Sequence, residues 1–169
     1  DDVQVLVMVS TIEHAVHLKQ FLPEFRLCYD MLDPQVYDTY VRNEMLDPAD
    51  EPLMTSARRE SMRQEFERGE LKKVIATDVW STGVDFVGLA VLVRADGRES
   101  PILDTQIPGR VTRVGDEKEV GIVIDCMDEF DPTLCRRSNS RRRNYAKKGW
   151  EIVGLGRRRR QSINTASSS

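Results

Sequence analysis

Four short apolar runs set the terms on which this chain can fold. They are Val3-Gln-Val-Leu-Val-Met-Val9, Lys72-Lys-Val-Ile-Ala-Thr-Asp78, Leu89-Ala-Val-Leu-Val93 and Glu119-Val-Gly-Ile-Val-Ile-Asp125, all rich in β-branched residues and all of strand length. Amphipathic stretches fall between them. Ile12, Ala15, Val16, Phe21 and Leu22 recur at roughly helical spacing up to Pro23, after Ser10-Thr-Ile-Glu13 in the form of a capping box. Asp33-Pro34 supplies a cap and a first helical residue for a face of Val36, Tyr37, Tyr40, Val41 and Met45. Met62 and Phe66 stand four apart in Arg58 to Gly69, where the glycine stops the helix. Phe25 to Leu32 fits a further short strand and Leu103 to Val114 a further helix. Strands alternating with helices predict an α/β domain, a doubly wound parallel sheet with helices on both faces.

The chain of 169 residues is 40% hydrophobic and 31% charged, enough to bury the core of one globular domain. Cys28, Cys126 and Cys135 form no Cys-x-x-Cys pair, which favours reduced structural thiols. No secretory leader is evident and the longest apolar run, Val5 to Val9, is far short of a membrane span. The expectation is a soluble protein that is not secreted, cytoplasmic or associated with nucleoid or nucleus. His14 and His17 lie three apart without a third ligand in sight, so no metal site is expected.

The formal net charge of −3 conceals a division of the chain. Of the 25 Lys/Arg and 28 Asp/Glu, residues 136 to 169 hold 11 and one, which leaves residues 1 to 135 with 14 and 27. We therefore divide the chain into an acidic domain, 1 to 135, and a basic C-terminal extension, 136 to 169, partly helical and then disordered. Arg136, Arg137, Arg141, Arg142 and Arg143 make that extension an electrostatic footprint for nucleic acid or another anionic surface, unless it is only a solvated tail. Tyr145 and Trp150 among these cations are suited to stacking on bases, or to anchoring the tail to the domain. Gly149 to Val153 fits a short final strand or an extended arm.

Phosphate chemistry is suggested at several points. In Thr105-Gln-Ile-Pro-Gly-Arg-Val-Thr-Arg113, residues Gln106, Arg110 and Arg113 fall at i, i+4 and i+7 of a helix, so two guanidinium groups can reach one anion. Pro108 relaxes that geometry at Gln106. Ser10 and Thr11 lie where a strand turns into a helix, a place where backbone N–H groups point outward and attract phosphate; Ser10 as a plain helix cap is the competing reading. Thr77 and Asp78 end a strand at the edge where parallel sheets bind ligands. Gly83 permits a tight turn past a ligand, and Asp85 suits a ribose hydroxyl or an arginine. Asp128-Glu-Phe-Asp131 imitates the metal-binding carboxylates of a nucleoside triphosphatase. No Gly-Lys-Ser or Gly-Lys-Thr occurs to form the accompanying phosphate loop, so it reads as an acidic turn in which Asp131-Pro132 caps the next helix.

In this order the stretches resemble the second RecA-like domain of a superfamily 2 helicase or translocase. Val5 to Leu22 is similar to motif IV of that family, Arg59 to Gly69 to motif IVa, Val74 to Asp85 to motif V and Thr105 to Arg113 to motif VI, together covering roughly residues 3 to 127. The resemblance implies a P-loop-NTPase-like sheet without its own phosphate loop. It implies that Arg113 is an arginine finger with Arg110 beside it on the γ-phosphate of ATP, that Gln106 couples nucleotide to the domain interface, and that Asp85 lies by the ribose. Ser10, Thr11 and Thr77 would touch a nucleic-acid backbone, with Arg59 close to that track. Glutamine at 106 replaces the histidine of DEAD-box RNA helicases, and Thr82 replaces their arginine before the glycine. Both are closer to the DExH-like, RecG-like and type III restriction-like branches, which favours DNA over RNA. The first RecA-like domain, which would hold ATP and Mg²⁺, is the implied partner, and without it the chain is expected not to turn over ATP. The competing expectation is a non-catalytic nucleic-acid-binding adaptor of the same fold, or the same domain of an RNA helicase.

Overall fold

A computed structural model of the chain describes residues 3–80, 88–98, 121–127 and 129–154. Its centre is a five-stranded, wholly parallel sheet made of β1 (Gln4–Met8), β2 (Arg26–Cys28), β3 (Lys73–Ala76), β4 (Leu89–Arg94) and β5 (Ile122–Asp125), in the order β2-β3-β1-β4-β5. The helices are α1 (Ile12–Lys19), α2 (Pro34–Arg42), α3 (Ser56–Glu67) and α4 (Pro132–Lys147), with a single 3-10 turn at Asp78–Trp80. The expected α/β class is what forms. The chain steps outward from β1 to β2, returns to β3, then crosses β1 to β4. Right-handed crossovers therefore put α1 and α3 on opposite faces of the sheet. Leu6, Val7 and Met8 in β1 and Val74, Ile75 and Ala76 in β3 are buried without alternation, as strands covered on both faces must be.

Local chemistry sets the helix starts. Thr11, not Ser10, caps α1: its backbone is extended (φ −135°, ψ 155°) and its hydroxyl accepts from the His14 N–H at 3.1 Å. Asp33 accepts from the Gln35 N–H at 2.7 Å, and Asp131 from the Thr133 and Leu134 N–H groups at 2.8 and 2.9 Å, each followed by proline at the first turn. Thr55 caps α3, which opens at Ser56, and Gly69 ends it in the left-handed region at φ 73°. On the inner side of α3, Met62 and Phe66 are buried, and the Phe66 ring lies 5.1 Å from that of Trp80.

Two departures from the sequence-based expectation concern polar groups. In the acidic segment after α2, Glu51 is fully buried. Its Oε1 accepts from Lys19 Nζ at 3.3 Å, Arg26 Nε at 3.2 Å and the Leu27 N–H at 3.1 Å, and Arg58 stands 3.8 Å from its Oε2. Lys19 also donates to Asp50 at 2.9 Å, which holds the Asp50 carboxyl below its ordinary range. One carboxylate thus pins the loop to α1, β2 and α3. In β1, Gln4 is buried and its amide donates to the carbonyls of Phe66 and Leu71, closing the C-terminal end of α3 onto the sheet. The stretch 150–154 contains no regular element, so the expected final strand is an irregular arm.

Candidate nucleic-acid interface

Parallel strands carry their ligands beyond their carboxyl ends, because there the backbone turns away and leaves N–H groups and short side chains unpaired. At this edge β1 is followed by Val9, Ser10 and Thr11, β3 by Thr77 and Asp78, β2 by Tyr29 and Asp30, and β4 by Ala95, Asp96 and Arg98. Met8 is in register with Ala76, so Ser10 and Thr77 leave from neighbouring strands. The Thr77 N–H is bonded to the Cys28 carbonyl at 3.1 Å and the residue is buried. Ser10 donates its hydroxyl to the Asp96 carbonyl, which joins the turn after β1 to the turn after β4. Thr11 is more exposed, its hydroxyl oxygen engaged as the helix cap.

Arg98 ties these turns together, and nothing in its local sequence announces that role. Its Nη1 donates to Asp78 at 3.0 Å and its Nη2 to the Ser10 carbonyl at 3.0 Å, while its own carbonyl accepts from Arg94 at 3.3 Å and Arg141 at 3.2 Å. Arg59, on α3, reaches the same edge and pairs with the largely exposed Asp30. An exposed acid is a weak partner that a phosphate can displace. The structure therefore brings Ser10, Thr11, Thr77 and Arg59 to one edge of the sheet. Gly83, Asp85, Gln106, Arg110 and Arg113 lie outside the described residues.

Among the basic residues of the C-terminal part, helical phase separates two roles. Ser138, Arg141 and Tyr145 face the sheet and are buried. Arg141 holds both carboxylate oxygens of Asp125, at 2.8 and 2.7 Å, and donates further to the Cys126 carbonyl and the Ser138 hydroxyl, each at 3.2 Å. Burial opposes its charge, but the bonds to Asp125 leave its pKa above the ordinary arginine range. Tyr145 donates to Asp125 at 2.8 Å, and burial followed by the Asp125 charge raises its pKa. Beside them Arg94 pairs with Asp96 at 2.8 Å, both buried. Arg141 is accordingly a structural residue whose donors are consumed within the fold, and the expectation that it meets nucleic acid is corrected on that ground. Arg136, Arg142 and Arg143 are exposed and Arg137 is half-buried. The stack of Tyr145 on Trp150, with centroids 5.5 Å apart, ties the arm to α4. The boundary expected after residue 135 falls inside α4.

The turn after β1, where a phosphate loop would stand in a nucleotide-binding RecA-like sheet, is Val9-Ser-Thr11, without glycine or lysine, and its serine is already bonded to Asp96. The described residues thus do not fit a nucleoside triphosphate by themselves. Among them no three His, Cys, Asp or Glu side chains converge as ligands for a metal ion, and no helix is long and apolar enough to cross a membrane.

A wholly parallel sheet with an open carboxyl edge and no phosphate loop defines the class of a RecA-like accessory lobe. The model of the helicase conserved C-terminal domain matches residues 1–115, and the chain belongs to that family, the C-terminal domain of superfamily 2 helicases. No curated protein matches. Among solved structures, the chain is similar to the C-terminal domain of the DEAD-box protein Dbp5, at 18% identity and a TM-score of 0.55 over 86% of this chain and 70% of that one. It is also similar to a variant of the S. cerevisiae Dbp5 C-terminal domain bound to Gle1 and IP6, at 17% identity and a TM-score of 0.56, covering 90% and 74%. The C-terminal part of the Fun30 ATPase domain shares 16% identity at a TM-score of 0.51, covering 80% and 39%. At these identities the likeness is one of fold.

Proposed function

We propose that the chain is the second motor lobe of an ATP-dependent superfamily 2 helicase or translocase acting on DNA. The observation that carries this reading is the carboxyl edge, where Arg98 links the turn after β1 to the turn after β3 in a chain of the helicase C-terminal family. Ser10, Thr11, Thr77 and Arg59 supply the nucleic-acid track, and Arg136, Arg137, Arg142 and Arg143 add positive charge beyond it. ATP with Mg²⁺, carried by an N-terminal RecA-like lobe of the same parent, supplies the phosphoryl chemistry. Arg113 and Arg110 place fixed positive charge against its γ-phosphate, Gln106 couples that contact to the lobe interface, and Gly83 and Asp85 border the ribose. Preference for DNA rests on Gln106 and Thr82, which depart from the DEAD-box pattern.

The test joins this chain to the N-terminal lobe of its parent and compares Arg113→Ala with the unaltered protein. ATP turnover should fall by about 10³-fold or more, with nucleic-acid binding retained. Unchanged turnover would reject the finger assignment. Stimulation of turnover by DNA and by RNA of the same sequence decides the substrate: greater stimulation by RNA would place the parent among RNA helicases. Binding without any turnover in the unaltered protein would favour an adaptor, a reading the outward arginines of α4 also accommodate.

A further inference from the structure

The arginines on the outer side of α4 form a site of their own. Arg136, Arg142 and Arg143, with Pro132, Asn139 and the side chain of Ile152, line a groove of about 850 Å³ between α4 and the arm that follows it. Among the described residues no acid pairs with Arg136, Arg142 or Arg143, whereas Arg141 on the inner side is neutralised by Asp125. The groove therefore concentrates uncompensated positive charge that the fold does not use. Its floor is partly apolar, from Pro132, Ala146 and Ile152. A guanidinium row over such a floor suits an anion that is also a chain, with phosphates for the arginines and sugars for the apolar wall.

Spacing supports the same class of ligand. Arg136 and Arg143 are seven residues apart, about 10 Å along a helix rising about 1.5 Å per residue. A nucleic-acid strand advances about 3.4 Å per phosphate, so about three consecutive phosphates fit beside the three arginines. We propose that this groove is a discrete phosphodiester-binding site, separate from the carboxyl-edge track, in which Arg136, Arg142 and Arg143 act while Arg137 and Arg141 do not. The proposal rests on the nucleic-acid reading given above and adds to it a second point of contact, one that grips the strand or duplex arm outside the motor cleft.

The experiment measures binding of the 169-residue chain to fluorescein-labelled single-stranded DNA, single-stranded RNA and duplex DNA of one sequence, across a range of KCl concentrations. Each phosphate contact contributes about 0.9 to the slope of log K against log salt for duplex and about 0.7 for single strands. The triple substitution Arg136→Gln, Arg142→Gln, Arg143→Gln should flatten the slope by about 2 to 3. Arg142→Gln alone should flatten it by about 0.7 to 0.9, and Arg137→Gln should leave it nearly unchanged. Circular dichroism and urea midpoints confirm that the variants are folded, as expected for exposed positions. An unaltered slope in the triple variant, or an equal effect of Arg137→Gln, overturns the groove while leaving the nucleic-acid reading intact. Failure of the unaltered chain to bind any of the three probes at low salt overturns both. The probe showing the larger loss on triple substitution identifies which form of nucleic acid the groove grips.

Discussion

Arg141 sets two nitrogens of its guanidinium against the two carboxylate oxygens of Asp125, at 2.8 and 2.7 Å, with only 1% of its side chain exposed. Removing one member of such a pair leaves the other charge buried without compensation, which typically costs about 3 to 5 kcal/mol. Asp125 keeps some contact with solvent, so Arg141→Ala should fall near the lower end, read as the shift in urea midpoint. Arg141→Lys should also destabilise, because an ammonium cannot hold both oxygens in a fixed plane. A midpoint unchanged in both variants would show that the pair contributes nothing to cohesion.

Gly88 is fixed by what lies beside it. A Cβ at this position would stand 2.2 Å from Gln4 Oε1. The Gln4 side chain cannot swing aside freely, since its amide is bonded to the carbonyls of Phe66 and Leu71. Gly88→Ala should therefore destabilise by about 1 to 3 kcal/mol, the usual range for overpacking, again read from urea unfolding. Pairing it with Gln4→Ala should show less than additive loss, because the clash then has no target.

Alkaline conditions should loosen the domain through Tyr145. Burial and the Asp125 charge raise its folded pKa above the ordinary value of 10.0. The neutral phenol is thus favoured in the folded state, and its contribution is complete below pH 10 and lost as pH rises through the folded value. Tyr145→Phe should give a flatter decline of stability above pH 10, at the cost of the bond to Asp125. An identical pH profile for both proteins would count against the linkage.

The three thiols should differ in reactivity. Cys28 is buried, and burial pushes its pKa up to about 12, so little thiolate forms near neutrality. Cys126 is exposed and Cys135 partly so. Iodoacetamide at mildly alkaline pH should modify Cys126 and Cys135 in the folded protein and Cys28 only after denaturation, as read by intact mass. Modification of Cys28 under native conditions would mean that β2 opens readily.

The strands β1, β3 and β4 stand where the β-branched runs stand, because burial on both faces demands such residues over the whole run. Their order across the sheet was not legible, since Val5 pairs with Lys73 and Val91, far away in the chain and without a local sign. Ser10 and Thr11 are both good caps, and the choice between them depends on which backbone stays extended at the turn. Glu51 looks like its acidic neighbours in sequence; only the meeting of Lys19, Arg26 and Arg58 singles it out. Arg141 was hidden by treating the basic residues as a block of charge. A signal existed: Ser138, Arg141 and Tyr145 fall at i, i+3 and i+7, and a tyrosine in that phase marks an inward face.

α4 carries scaffold and charge on opposite sides of one rod. Deleting the chain from residue 136 onward would remove the outward arginines together with Arg141 and Tyr145, leaving Asp125 stripped of both partners. Loss of binding after such a truncation would be indistinguishable from collapse of the lobe. The same division frees the outer positions from the constraints of the inner ones. Charge at 136, 142 and 143 can be raised, lowered or reversed while Arg141 stays in place, so the grip on a polyanion is adjustable like a dial mounted on a fixed spindle.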